Sequence, residues 1–170
     1  MTTYGTSIAF ALCVTLVVHA QDASEWFGKG LNAFNNGNYG ESIVNFTRAI
    51  EQDSGAPPAW FNRGTAYMRM RMFEKAYFDL TRCLQLRPSQ VTMSARMQRA
   101  VVGAELGMRE EALRDVSKVI DIDSTFPKAR LLRGRLRLGS GDTAQACLDF
   151  AGALRLGDSS AIKYLQAACK

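Results

Sequence analysis

Beyond the first twenty residues, apolar positions recur at the alternating three- and four-residue spacing of helices buried on one side. From Ala59 to Pro88, the side chains Trp60, Gly64 and Tyr67, then Ala76, Leu80 and Cys83, fall on two helical stripes separated by a turn, and Pro88 closes the unit. Shifting back by 34 residues places Trp26 on Trp60, Gly30 on Gly64, Tyr39 on Phe73, Ser42 on Ala76, Phe46 on Leu80 and Ala49 on Cys83. The same register runs forward. Gly37, Arg71, Gly107 and Gly141 hold the turn with gaps of 34, 36 and 34, so the third unit carries a two-residue insertion. Glycine suits a helix end closed by a left-handed residue. Small residues open the second helix at Ser42, Ala76, Ala112 and Ala146, and recur at Ala49, Cys83, Val119 and Ala153. Phe46, Leu80, Val116 and Phe150 are the bulky side chains between them.

This pattern predicts first helices near 24–37, 57–70, 91–106 and 127–139, and second helices near 40–53, 73–86, 109–122 and 143–156. No hairpin covers its own apolar face, so stacking on the next unit completes the core. The third unit is the least regular, with Arg96 where the first two carry Trp and Ala100 where they carry Gly. After Gly157, Ser159 and Ser160 are candidate N-caps for a last helix, Ala161 to Ala168, whose Ile162 and Leu165 would cover the end of the stack.

A helix–turn–helix repeat of this length and these columns resembles the tetratricopeptide repeat (TPR) family. The resemblance implies an all-α fold, a right-handed superhelix (α-solenoid) of about four helix pairs plus a C-terminal capping helix. The expected TPR domain is 21–170, with units 23–56, 57–90, 91–126 and 127–158 and the cap at 159–169. In that family the first helices line the inner surface. Carried over position by position, the groove would present Phe27, Leu31 and Phe34 from unit one, and Phe61, Asn62, Thr65 and Met68 from unit two. Unit three would add Met97, Gln98 and Val101, and unit four Leu131, Leu132, Arg135 and Leu138. A mostly apolar concavity with Phe and Met side chains marks a binding surface that adapts to irregular partners.

One TPR subclass grips acidic C-termini of heat-shock chaperones through a clamp of Lys, Asn, Asn, Lys and Arg. Here those positions hold Phe27, Leu31, Asn62, Ser94 and Gln98, so only one Asn survives and charge-assisted pairing with a terminal carboxylate is not expected. The run Asp115 to Ile120, Phe126 and Ala129 to Gly134 is similar to the N-terminal TPR region of endoplasmic-reticulum co-chaperones that carry a J domain. That resemblance implies a holder of unfolded or extended polypeptide clients. The 170 residues contain no His-Pro-Asp motif, so they are not expected to stimulate an ATPase by themselves, and the closing Leu165 to Lys170 does not resemble a lumenal retention signal.

The N-terminal segment stands outside the repeats. Ser7 to Val18 is uncharged and apolar, and small Ala20 precedes polar Gln21 and Asp22. It is about half of the roughly 20 residues a membrane-spanning helix needs, so a signal peptide at 1–20 is expected, leaving no stable membrane span. The opening Met-Thr-Thr-Tyr supplies no Lys or Arg, and a signal anchor or N-terminal helix is the alternative. The expected location is the endoplasmic reticulum lumen or the exterior.

The net charge of +5 would suit an acidic partner, but the Arg and Lys are dispersed, which reads as solvated helix faces; nucleic acid is not expected. Arg130, Arg133 and Arg137 form a stripe at helical spacing, a solvated face that could still receive an acidic partner. The only histidine, His19, lies at the proposed cut, and no phosphate loop, nucleophile elbow or metal-ligand spacing occurs. No enzymatic activity, cofactor or metal is expected. Cys83 takes a small core position. Cys147 and Cys169 are expected as free thiols; the alternative, in an oxidising compartment, is that they meet where the last helix folds back on unit four. Asn45-Phe46-Thr47 matches the N-glycosylation pattern, with Asn45 expected to face outward, and an unused match is an equal reading. The function expected is a protein-binding module holding unfolded clients. The alternatives are a scaffold for one folded partner and a helical-repeat RNA binder, the latter marked by steep salt dependence.

Overall fold

The computed structural model describes residues 23–86 and 88–169. The expected signal peptide, 1–20, lies outside them. The described residues form four antiparallel helix pairs and a short terminal helix: α1 (23–35) with α2 (Tyr39–Gln52), α3 (Pro57–Arg69) with α4 (Phe73–Gln85), α5 (Thr92–Glu105) with α6 (Arg109–Ile122), and α7 (Pro127–Leu138) with α8 (Thr143–Arg155). A 3₁₀ turn (Ser159–Ala161) leads into α9 (Ile162–Ala168). Successive helices from α2 to α9 pack on one another, and α3 with α5 and α5 with α7 also touch. Contact between successive first helices puts them on the inside of the curve.

The repeat columns decide where each hairpin bends and how closely it closes. Gly37, Gly107 and Gly141 take φ of 78°, 76° and 82°, and Arg71 takes 58° at the same position. Each turn is tied identically: Asn38, Met72, Met108 and Asp142 donate their amides to the carbonyls of Ala33, Tyr67, Gly103 and Arg137 at 2.8–3.0 Å, the bond of a Schellman close. Phe46, Leu80, Val116 and Phe150 are wholly buried. A Cβ on Gly30 would lie 2.5 Å from the Phe46 ring, and one on Gly134 2.6 Å from Phe150. Unit three, with the smaller Val116, carries buried Ala100 in place of that glycine.

The cap differs from expectation in three respects. Asp158, rather than Ser159 or Ser160, caps it, accepting from the Ser160 amide at 3.1 Å. Ile162 remains 42% exposed, so it does not seal the end. Tyr164 does so with Leu165, its ring stacked on Phe150 at 4.9 Å, and Cys147 and Cys169, rather than staying free, are joined in a disulfide that ties the last helix to α8.

Candidate functional site

Side chains on the inner helices are held in place by the core beneath them. Phe27 rests on Phe46 with ring centroids 5.7 Å apart, and Phe34 meets Tyr39 edge-on at 5.3 Å. Phe61 and Met68 pack on the core of unit two, Met97 and Val101 on that of unit three, and Leu131 and Leu138 on that of unit four. These eight, with Leu31, are neither buried nor fully exposed, so each keeps part of its surface for a ligand. Leu132 is the exception. At 6% exposure it belongs to the core between units three and four and is not a groove residue.

A polar band crosses the middle of this surface. The Asn62 amide donates to the Pro58 carbonyl at 2.8 Å, leaving its side-chain oxygen free of that bond. Thr65 Oγ1 lies 2.8 Å from both the Phe61 carbonyl and Gln98 Oε1. One hydroxyl proton cannot serve two acceptors, so the Gln98 amide is best oriented with its NH₂ toward Thr65. That bond links α3 to α5 across the unit boundary. Beside Phe27, a depression of about 250 Å³ is lined by Ala49, Ala56 and Pro58; another of about 200 Å³ lies between Met97, Met93 and Phe126.

The arginine stripe is not a free charged face. Arg133 donates twice to Asp149, at 2.9 and 2.7 Å, and Arg137 once at 2.8 Å, while the Asp149 side chain is only 3% exposed. Arg130 turns back to the Ser124 carbonyl at 3.1 and 3.2 Å, the tie that Trp60 Nε1 makes to Ser54 at 2.9 Å in unit two. Two of the three cations are therefore consumed internally.

This pairing is one rung of a ladder that the repeat columns alone did not bring out. Arg63 is bidentate to Asp79 at 2.7 and 2.9 Å, Arg99 to Asp115 at 2.6 and 2.9 Å, and both reach back to the preceding unit, at Thr47 and Thr81. Burial pushes the Asp79 carboxyl above its usual range, and the Arg63 bond only partly opposes it. The signal was legible as Arg and Asp sixteen residues apart, recurring once in each of units two to four. In unit one the same positions hold Lys29 and Asn45, and Lys29 pairs instead with Glu25. Asn45 is therefore a core position. At 7% exposure it does not face outward as expected, and the folded chain has no room for a glycan there. Cys83 is buried, its thiol pushed up to about 11 by burial.

Among the described residues no group of three or more His, Cys, Asp or Glu could hold a metal ion, and no helix is long and apolar enough to cross a membrane.

The family model for the tetratricopeptide repeat matches residues 57–90, which are unit two. Human Tetratricopeptide repeat protein 13 is 32% identical over 136 residues, covering 76% of this chain and 15% of that protein. The chain thus spans a small part of that relative. The crystal structure of MamA superposes with a TM-score of 0.75 at 21% identity, over 82% of this chain and 81% of that one. The first TPR of Spaghetti (RPAP3), solved bound to the HSP90 peptide SRMEEVD, superposes with a TM-score of 0.67 at 24% identity, over 72% and 95%. The chain carries a tetratricopeptide repeat and has the fold of tetratricopeptide-repeat solenoids.

Proposed function

We propose that the inner face binds an extended, largely apolar polypeptide segment, and that the protein holds unfolded clients on the secretory route. The observation that carries this reading is the set of partly exposed Phe27, Phe34, Phe61, Met68, Met97, Leu131 and Leu138 on the first helices of all four units. Each such side chain is already largely covered by the core, so covering the rest contributes roughly 0.5–1.5 kcal/mol before the ordering of the peptide is charged against it. Several contacts of that size on an adaptable surface give promiscuous, rapidly exchanging binding.

Two features support the secretory location. The Cys147–Cys169 disulfide persists in an oxidising compartment, and the apolar 7–18 segment has the length of a signal core. The likeness of Asp115 to Ile120 and Ala129 to Gly134 to the N-terminal TPR region of DnaJ homolog subfamily C member 3 supports a co-chaperone role in the endoplasmic reticulum. The RPAP3 neighbour lends the wider class a peptide-binding precedent. Clamp-type capture of an acidic terminus is not part of the reading, because Phe27, Leu31, Ser94 and Gln98 replace its cations and first Asn.

The test is suppression of aggregation of a reduced, unfolded client, followed by light scattering, with Phe61→Gln combined with Met97→Gln. The double variant is expected to lose suppression while keeping its helical circular dichroism. Undiminished suppression would refute the groove; a single stoichiometric complex with one folded partner, and no affinity for unfolded chains, would favour a scaffold instead. N-terminal sequencing of the protein from its own cell tests the compartment, with a start at Gln21 expected.

A further inference from the structure

Between units three and four lies a depression of about 170 Å³ beside the expected groove residue Arg135. Its apolar floor is Ala104, Leu132 and Leu136, and its rim carries two cations, Arg109 from the start of α6 and Arg135 from α7. Gly139, the C-cap of α7, leaves the space open. A Cβ there would lie 3.4 Å from an Arg109 terminal nitrogen and 3.5 Å from the Arg135 carbonyl, so the Arg109 guanidinium lies over the end of α7.

These two arginines differ from those of the ladder. Arg63, Arg99, Arg133 and Arg137 are paired with buried carboxylates, whereas no described carboxylate pairs with Arg109 or Arg135, and both residues are exposed. Glu111, in the same turn as Arg109, is itself engaged by Arg114 at 3.0 Å. Two unpaired guanidiniums above an apolar floor match a carboxylate carried on a short aliphatic stem.

We propose that this depression is a carboxylate subsite of the groove, taking one acidic group from an otherwise apolar peptide. The proposal rests on the peptide-binding reading and adds a charge requirement and a register to it. The carboxylate is either a Glu or Asp side chain or the free C-terminus of the bound segment. The site uses the end of unit three and the middle of α7, none of which are positions of the chaperone-tail clamp.

The experiment is fluorescence anisotropy with three labelled peptides sharing one apolar sequence: neutral with an amidated end, amidated with a central Glu, and uncharged in its side chains with a free C-terminus. At low salt one charged peptide is expected to bind about three- to tenfold more tightly than the neutral one. Tighter binding of the Glu peptide assigns a side chain; tighter binding of the free-end peptide assigns the terminus. Arg109→Gln should remove the advantage without weakening the neutral peptide, and Arg135→Gln should weaken the charged peptide more than the neutral one. Gly139→Leu, which fills the depression and keeps both cations, should remove it as well. Equal affinity for all three peptides, or equal losses for neutral and charged peptides in the variants, overturns the subsite alone. Binding of none overturns it together with the groove.

Discussion

Gly134 and Phe150 form a contact whose energetics can be worked out from the structure and from a neighbouring unit that solves the same packing problem differently. A methyl group on Gly134 would lie 2.6 and 2.7 Å from two carbons of the Phe150 ring and 3.2 Å from the Ala146 carbonyl. The ring cannot retreat, being wholly buried and backed by Tyr164 at 4.9 Å. Overpacking costs about 1–3 kcal/mol, and the gain in helix propensity on replacing Gly by Ala returns about 1 kcal/mol, so Gly134→Ala should destabilise by about 0–2 kcal/mol. Phe150→Val leaves a void and should cost about 2–4 kcal/mol. The double variant recreates unit three, where buried Ala100 stands with buried Val116. There the clash is gone, the methyl fills part of the void, and the propensity gain is kept in full. The pair should therefore be about 1–3 kcal/mol more stable than the sum of the single changes. Urea unfolding of the four proteins, disulfide intact and followed by helical circular dichroism, measures this coupling. A value within about 0.5 kcal/mol of zero would refute the claim that the bulk of this pair sets the spacing between the two helices.

Arg71 is the one turn residue forced into the left-handed region without being glycine, so Arg71→Gly should stabilise by up to about 1 kcal/mol, less whatever the guanidinium gains over Phe73; a thermal melt checks the sign. Cys169→Ser opens a cross-link spanning 22 residues and should cost about 3 kcal/mol, with unfolding midpoints of the native and reduced proteins converging only in the variant. Arg63→Gln leaves Asp79 without its bidentate partner and should cost about 3–5 kcal/mol in denaturant unfolding, whereas replacing both residues with apolar ones should cost far less. The Cys83 thiol is held to about 11 in the folded state against 9.0 as its ordinary value, so the folded chain keeps a proton the unfolded chain loses. The stability it contributes is complete below pH 9 and falls as pH rises toward 11. Cys83→Ala should flatten that part of the stability-versus-pH curve, and native Cys83 should resist thiol reagents at pH 8.

What the sequence alone determined was everything that repeats. Helix number, hairpin pairing, the left-handed turns and the buried columns recur because each unit meets nearly the same surroundings as its neighbours, so a period of about 34 residues is written into the chain. Tertiary structure alone decided what happens where that equivalence breaks. Asn45 looked like a surface acceptor because polarity is read locally, but its position is the one that faces Arg in the other units, and packing buries it. Arg130, Arg133 and Arg137 share one face of a helix on paper; in space Asp149, from the next helix, neutralises two of them. Leu132 passed for groove lining until unit three closed over it, and Ile162 yielded the sealing role to Tyr164. Cys147 and Cys169 were known only as two thiols that could meet, and the direction in which α9 folds back brought them together. Periodicity shows which residues are alike, but a charge or a ring takes its role from the element lying across from it, and only the stacking of hairpins supplies that element.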